Sequence, residues 1–390
     1  MPPPEVLVRR ASCEPIARGH PWVWRSAIER TDATTAGEEV SIVSSDGQRV
    51  GRGIYDPVSP IAVRVWTHGN VPVDAELVVA RVLRALAVRE RLFADGRTTA
   101  YRLVHGEGDR APGIVIDRYA DVGVVRADGT AAEALVRRFA ETIADALSAT
   151  GIRGLCLRTQ TRGDAPRIEP LTGRPPPDTQ EVQEHGVRFL VDLARGQKTG
   201  AFLDQRENRR RVGGLAAGKE VLNLFSYAGG FSLHAALGGA RRVTSVDVAA
   251  AAHATAQASF RAAGVDPASH DFVTADVFAF LRRAHERGTR WDLIVSDPPS
   301  FAPNEKSLGR ALASYRALHR ACADVLAPGG ILCASSCSSH VDAAAFAATL
   351  DDAALGRSDL SLLEMFGAPA DHPTLAAWPE GRYLKFAVLG

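Results

Sequence analysis

The chain has 390 residues, of which 46 are Lys or Arg and 45 are Asp or Glu, so its formal net charge is +1. This balance argues against a globally basic nucleic-acid-binding protein, and no apolar run approaches the ~20 residues of a membrane helix. We therefore expect two or three domains, a cytoplasmic location and no membrane contact.

The cysteines are scattered along the chain and include no CxxC pair. That spacing excludes a zinc finger and a disulfide scaffold, so we predict reduced thiols and no metal site. The five residues are Cys13, Cys156, Cys322, Cys333 and Cys337.

Residues 1–72 contain short runs that alternate between apolar and polar residues, at 39–44, 49–55 and 61–66. Turn residues separate the runs, which is typical of a small β-barrel. We predict that this segment is a separate β domain.

Residues 73–190 mix helical and strand patterns. The spacing predicts a helix that Asp74 caps and that runs to about Phe93, and a second helix over 131–148. Strand-like runs occur at 113–117, 122–125 and 154–158, and the proline-rich stretch 161–180 indicates a loop. We predict a central α/β domain.

Residues 191–390 alternate between strand-like runs and Ala-rich helical stretches. Such alternation predicts a parallel, doubly wound sheet of the Rossmann-like type. Ligands of these sheets bind beyond the carboxyl ends of the strands. The predicted strands are 220–225, 242–247, 270–275, 291–296, 330–335 and 383–389.

Three successive strand ends carry features of a nucleoside site. Gly229 lies in a glycine turn that lets backbone approach a ligand. Asp247, 18 residues further on, is placed to accept hydrogen bonds from ribose hydroxyls, and Asp276 to hold an adenine amino group. A bare βα turn and two helix N-caps are the structural alternatives. The order of the three favours a ligand with ribose and adenine, and the lack of a P-loop signature disfavours ATP.

Two further strand ends carry groups suited to chemistry. Asp297 opens the rigid turn Asp297-Pro-Pro-Ser-Phe301 and is predicted to project into the cleft. Cys337 follows the next strand, among small hydroxyl residues, whereas Cys333 within that strand is predicted to be buried. Cys337 is therefore either a reactive thiol or a small packed residue.

These motifs resemble those of the ribosomal RNA large subunit methyltransferase I family. The resemblance implies a class I methyltransferase that uses S-adenosylmethionine to form 5-methylcytosine in 23S rRNA. It also implies an N-terminal PUA-like RNA-binding domain over 1–72, a central α/β domain over 73–190 and the methyltransferase domain over 191–390. The matching segments are 197–206, 225–234, 297–301, 336–338, 371–373 and 379–385, with 19–24, 63–66, 101–109 and 112–119 in the first half of the chain.

The resemblance implies roles for individual residues. Cys337 matches the thiol that adds to C6 of cytosine, and Asp297 would hold N3 and N4 of the base. The predicted cofactor-binding residues are Phe225, Ser226, Tyr227, Gly229, Asp247, Asp276 and Asp297.

Contacts with RNA are predicted for a basic helix and an aromatic pair. The alternatives are a solvated helix face for the arginines and barrel core for the tryptophans. The substrate would be 23S rRNA or a precursor of the large subunit, and a homodimer is left open. The predicted residues are Arg206, Arg209, Arg210 and Arg211, with Trp22 and Trp24.

Two other functions remain open from the sequence. Asp-Pro-Pro-aromatic motifs also serve methylation of exocyclic amines, although Ser300 precedes Phe301 here. A non-catalytic RNA-binding or assembly factor that keeps the cofactor fold is the second alternative. Cys337 and Asp297 together favour cytosine C5 chemistry.

Overall fold

The computed structural model describes residues 2–159, 166–302 and 304–390. Its backbone divides into two compact units. The first consists of Met1–Val182, Val191–Leu203 and Ala370–Gly381, and the second of Gln183–Leu190, Asp204–Pro369 and Arg382–Gly390. The division into three domains at residues 72 and 190 stays a prediction.

The first unit begins with a mixed sheet of six strands in the order β2-β6-β5-β4-β1-β3. Its core consists of alternate, inward-facing side chains such as Val6, Val40, Ile42 and Val63, as the period of two requires. The predicted small β fold is confirmed. The elements are β1 (Glu5–Val8), α1 (Arg10–Ala17), β2 (Trp22–Trp24), β3 (Ile28–Thr31), β4 (Glu38–Ser44), β5 (Arg49–Tyr55) and β6 (Ile61–His68).

A second sheet of the first unit has the order β11-β10-β9-β8-β7. The predicted helix after Asp74 is present, and the Asp74 side chain accepts a hydrogen bond from the backbone N–H of Leu77. The helix predicted over 131–148 is broken in two at Phe139. The elements are α2 (Ala75–Leu92), β7 (Ala100–His105), β8 (Ile114–Tyr119), β9 (Val122–Ala127), α3 (Thr130–Arg138), α4 (Ala140–Ser148), β10 (Gly154–Thr159) and β11 (Arg167–Gly173).

The loop predicted over 161–180 is wrong in part. Residues 160–165 lie outside the described residues, but Arg167–Gly173 forms β11, an edge strand antiparallel to β10. Pro170 lies where the register shifts, and a proline is tolerated there because an edge strand pairs on one side only. A two-stranded hairpin follows, with β12 (Thr179–Glu184) and β13 (Val187–Asp192).

The second unit contains a sheet of seven strands in the order β16-β15-β14-β17-β18-β20-β19. The first five are parallel and alternate with helices, which confirms the doubly wound fold. The strand order reverses at β14, so the cleft is expected at the carboxyl ends of β14 and β17. The elements are α5 (Arg206–Leu215), β14 (Glu220–Leu224), α6 (Gly230–Leu237), β15 (Arg242–Asp247), α7 (Ala250–Ala262), β16 (Asp271–Thr274), α8 (Val277–Glu286), β17 (Trp291–Ser296), α9 (Leu308–Val325), β18 (Leu326–Ser336), α10 (Ala343–Ala354), β19 (Leu362–Phe366) and β20 (Lys385–Leu389).

Among the described residues, no helix is both long and apolar enough to cross a membrane.

The buried His234 of α6 makes the stability of the fold sensitive to acid. Its Nδ1 lies 3.0 Å from the carbonyl oxygen of Gly230, and burial lowers its pKa from 6.5 to about 4. The unfolded chain therefore binds one more proton than the folded chain between those pH values, so stability falls as the pH drops from 6.5 towards 4.

Between pH 6.5 and 4, the free energy of unfolding should fall in both proteins. We expect the fall to be about 3 kcal/mol smaller in His234→Asn than in the parent chain. Urea titrations at a series of pH values measure this difference. Parallel losses in both proteins would contradict the assignment.

Candidate active site

The turn between β14 and α6 has an unusual backbone. Phe225, Tyr227 and Gly229 all have positive φ, at 56°, 46° and 74°. A β-carbon at Gly229 would lie 2.7 Å from the Cβ of Ala256, so the close packing of α7 requires glycine there. Left-handed conformations are costly for Phe and Tyr, and such strain is concentrated at functional sites.

Two buried polar oxygens lie in this turn and in the strand that precedes it. The Oγ of Ser226 and the Oδ1 of Asn223 are buried and have no hydrogen-bond partner among the described residues. The other end of the Asn223 amide is held, because its Nδ2 donates to the Oγ of Ser232 at 2.8 Å. Buried acceptors without partners favour a polar ligand at this point.

Asp247 ends β15 and fixes the glycine turn. Its Oδ2 accepts a hydrogen bond from the N–H of Tyr227 at 2.8 Å, and its Oδ1 accepts one from the N–H of Ala249 at 2.9 Å. The helix that follows is capped at Ala249 without a side-chain hydrogen bond. The N-cap alternative is therefore wrong for Asp247.

Asp276 is the N-cap of α8, and its Oδ1 accepts from the N–H of Ala279 at 2.8 Å. The structural alternative therefore applies to Asp276, and a role in ligand binding stays a prediction. Its position at the end of β16, next to β15, leaves it on the same edge of the sheet as Asp247.

Asp297 and Cys337 follow two adjacent parallel strands. Ser296, the last residue of β17, pairs with Ala334 of β18, which ends at Ser336. Both Asp297 and Cys337 are partly exposed, whereas Cys333 is fully buried. Burial raises the pKa of the Cys333 thiol to about 12, so Cys333 is inert and Cys337 is the accessible thiol of this strand.

Tyr315 and Lys385 border the pair and were not predicted from the sequence as site residues. Burial raises the pKa of Tyr315 to about 12, and the charges of Cys337 and Asp297 add to this effect. Burial lowers the pKa of Lys385 to about 8, and the charge of Cys337 opposes the shift. The contacts agree with these effects, because Tyr315 and Lys385 are bound to the two residues that flank Cys337. The Oγ of Ser336 donates to the Tyr315 hydroxyl at 2.9 Å, and Lys385 donates to the carbonyl oxygen of Ser338.

Backbone contacts hold Lys385 in place. Its Nζ donates to the carbonyl oxygens of Ser338 at 2.5 Å and Tyr383 at 2.8 Å. Lys385 lies in the segment 379–385, which contributes to the family resemblance. Nothing in the sequence of that segment predicted a role for the lysine.

Gln205 and Asp204 also reach this edge of the sheet. The Nε2 of Gln205 donates to the Oγ of Ser335 at 2.9 Å, and the hydroxyl of Tyr383 donates to Asp204 at 2.7 Å. The end of the segment 197–206 therefore helps to order β18, the strand that Cys337 follows.

Comparison with known proteins gives two family matches. Residues 123–383 match the S-adenosylmethionine-dependent methyltransferase family, and residues 6–68 match the PUA-like domain. The chain is 37% identical over 375 residues to ribosomal RNA large subunit methyltransferase I of Aliivibrio fischeri, with 95% of each chain covered. It is 38% identical over 381 residues to the protein of that name from Shewanella denitrificans, again with 95% of each covered.

The chain belongs to the ribosomal RNA large subunit methyltransferase I family.

Solved structures agree with this membership. A structure described as a methyltransferase complexed with SAH has a TM-score of 0.87 and 26% identity, and covers 99% of this chain and 100% of that chain. A SAM-dependent methyltransferase from Streptococcus mutans has a TM-score of 0.86 and 25% identity, with 99% of each chain covered. As in the family, the methyl donor of this chain is S-adenosylmethionine.

The residues of the cleft fit this cofactor. The unpartnered oxygens of Ser226 and Asn223 suit its polar groups, and the glycine turn brings backbone to the cleft. Among the described residues, no group of three His, Cys, Asp or Glu side chains is placed to hold a metal ion. The individual contacts with the cofactor stay predictions for all of the proposed residues, which are Phe225, Ser226, Tyr227, Gly229, Asp247, Asp276 and Asp297.

We expect Asp247→Ala to weaken binding of S-adenosylmethionine by roughly 1–3 kcal/mol. The change removes the proposed ribose acceptor and also frees the N–H groups of Tyr227 and Ala249. Isothermal titration calorimetry measures the effect. Asp271→Ala, which removes a carboxylate at the opposite end of the sheet, is the control, and equal affinities of the two variants would contradict the assignment.

Two of the four arginines predicted to contact RNA in the second unit are buried. Arg206 and Arg209 are 2% and 6% exposed, and Arg209 forms two hydrogen bonds with Glu184, at 2.9 and 2.5 Å. The guanidinium of Arg211 stacks 3.6 Å above the ring of Phe366. Arg210 is exposed, so it is the arginine of this helix best placed to meet a ligand, and an RNA role stays a prediction for all four.

The two predicted tryptophans differ in exposure. Trp22 is partly buried and its Nε1 donates to Glu107 at 2.8 Å, while Trp24 is 43% exposed. Their rings meet edge to face at 5.5 Å. The barrel-core alternative therefore does not describe Trp24, and contact with RNA stays a prediction for both.

Proposed function

We propose that this chain forms 5-methylcytosine in 23S rRNA through a covalent bond between the Sγ of Cys337 and C6 of the base. The observation that carries the proposal is the accessible Cys337 thiol at the end of β18, next to the strand that ends at Asp297. Membership of a family whose relatives are named for the large-subunit ribosomal RNA supports the substrate.

Cys337 supplies the nucleophile. Cytosine C5 is a weak nucleophile, and addition of a thiolate to C6 converts the ring to an enamine whose C5 can attack a methyl group. S-adenosylmethionine, when bound, supplies that electrophilic methyl. Lys385 donates to the carbonyl oxygen of Ser338, the residue after Cys337, and a positive charge near a thiol favours the thiolate that attacks.

Asp297 orients the base. Its carboxylate would accept hydrogen bonds from N4 and from the protonated N3, and so stabilise the charge that addition creates. After methyl transfer the proton on C5 leaves to a base, the C6–S bond breaks and the thiolate is restored. The cytosine must be out of any base stack to enter the cleft.

The proposed rRNA substrate also indicates the binding partner of this enzyme and its location in the cell. A PUA-like domain over residues 6–68 suits an RNA ligand, either free 23S rRNA or a precursor of the large subunit. An rRNA substrate places the enzyme in the cytoplasm. Homodimer formation stays a prediction and is not needed by this mechanism.

Methylation of an exocyclic amine is the second candidate, because the motif at Asp297 also serves that chemistry. It needs no thiol, so Cys337→Ala would spare it and would abolish transfer to C5. A non-catalytic assembly role would leave rRNA without a methyl group from this chain.

Mass spectrometry of 23S rRNA from a strain that lacks the gene tests the proposal. We expect one 5-methylcytosine to be absent and to return when the gene is restored, but not when Cys337→Ala is supplied. Loss of a methyl group on an exocyclic amine, or loss of none, would overturn the proposal.

A further inference from the structure

A cluster of positive charges lies on the first unit, outside the active site. Arg81 and Arg84 are one turn apart on α2, which packs against the 3-10 turn Gly106–Asp109. Arg110 follows this turn with a left-handed backbone, φ 59°. His68 ends β6. We call these four residues the α2 basic cluster.

The positive charges of the cluster affect the pKa of two of its members, Arg81 and His68. Burial lowers the pKa of Arg81, and the charges of Arg110 and Arg84 lower it further. Burial also lowers the pKa of His68, with added effects from Arg110 and Arg81. Like charges one turn apart on a helix are destabilising, so the fold brings these groups together at a cost.

The cluster lacks a counter-charge in the part of the chain that the structure describes. There, Arg81, Arg84 and Arg110 form no ion pair, and the buried Nε of Arg81 has no hydrogen-bond acceptor. The acids next to Arg110 in sequence are already engaged. Glu107 accepts from Trp22 and from Arg64, at 2.8 and 2.6 Å.

Asp109 is engaged in the same way. It accepts two hydrogen bonds from Arg89, at 2.8 and 2.7 Å, and one from the N–H of His105 at 2.7 Å. Other arginines of this unit do have an acidic partner, as Arg102 has in Asp117 and Arg137 has in Glu133. The α2 basic cluster instead brings three arginines together without such a counter-charge.

We propose that the α2 basic cluster binds the phosphate backbone of the RNA substrate. Guanidinium groups suit phosphate oxygens because they donate two parallel hydrogen bonds. Three arginines within one patch match a polyanion rather than a single carboxylate. The choice of RNA as the ligand rests on the proposed function. The exposed residues of the cluster can contact phosphate, whereas the buried Arg206 and Arg209 cannot.

The test compares RNA binding by the full-length chain and by Arg81→Gln with Arg84→Gln. The probe is an unmodified transcript of 23S rRNA, and filter binding at 50–300 mM salt gives both affinity and salt dependence, the salt range being roughly that over which phosphate contacts dominate. We expect affinity to fall about tenfold at low salt, and the slope of log affinity against log salt to shrink by about 1–2.

A control pair removes the same charge elsewhere. Arg137→Gln with Arg242→Gln changes two exposed arginines that pair with acids, and we expect its affinity and slope to match the parent chain. Melting temperature separates binding from folding, because removing Arg81 and Arg84 relieves repulsion and should leave it unchanged or higher. Arg84→Gln with Arg110→Gln, both at exposed sites, is a second pair that repeats the test.

The outcomes are distinct from those of the methylation assay, since binding needs no thiol and no transfer. Unchanged affinity and slope in both cluster pairs would overturn the inference, including the case in which the cluster holds an acidic protein instead. An equal loss in the control pair would also overturn it, because net charge alone would then explain the effect.

Discussion

Replacing Cys337 with serine is expected to reduce methylation of 23S rRNA by at least about 10³-fold, since loss of a nucleophile costs up to about 10⁶-fold in other covalent enzymes. A serine hydroxyl is a far weaker nucleophile than a thiolate at neutral pH. Transfer of a labelled methyl group from S-adenosylmethionine to rRNA measures the loss.

A trapping experiment shows the covalent bond directly. RNA with 5-fluorocytosine at the target should leave an adduct with the parent enzyme, because fluorine cannot leave as the C5 proton does. Stable adduct formation should require S-adenosylmethionine. Cys337→Ser should form none, whereas Cys333→Ser should still form it, because Cys333 is fully buried within β18. Full methylation by Cys337→Ser would refute the covalent mechanism.

Asp297→Asn is expected to reduce the turnover number by about 10²–10³-fold, the usual range for loss of a group that stabilises charge in the transition state. The amide keeps the size of the side chain but not its negative charge, so the protonated N3 of the base loses its anionic acceptor. Single-turnover methyl transfer at saturating RNA measures the effect.

Asp292→Asn is the matched control for this change. It lies at the start of the same strand, where its Oδ2 accepts from the N–H of Glu220 at 2.9 Å. We expect its turnover to equal that of the parent chain. If both variants were equally active, Asp297 would not act on the base.

The parts of the fold that depend on local sequence were predicted well. Asp74 caps α2, and the turn at Gly229 joins β14 to α6, because capping and glycine turns act within a few residues. The edge strand Arg167–Gly173 was missed, since its pairing with β10 outweighs the turn preference of its neighbouring prolines and glycines.

Residues that meet only through the fold were the least predictable. The pairing of Arg209 with Glu184 joins positions 25 residues apart, so the sequence could not distinguish a buried ion pair from an RNA contact. Lys385 reaches Ser338 because β20 pairs with β18, an order that periodicity does not encode. Sequence motifs identified the edge of the sheet where the site lies, and strand order determined which side chains meet there.

The interleaved chain path of the first unit has a consequence for synthesis. This unit includes Ala370–Gly381, and Asp371, fully buried, accepts from the guanidinium of Arg89 and the N–H of Arg102. Arg89 and Arg102 emerge from the ribosome long before Asp371, and until then the guanidinium of Arg89 lacks one of its acceptors and the N–H of Arg102 lacks the Asp371 carboxylate. Domains usually fold in order as they are made, whereas here the first unit completes only after most of the second has been translated. Chains that end before residue 370 should therefore leave the first unit incompletely folded.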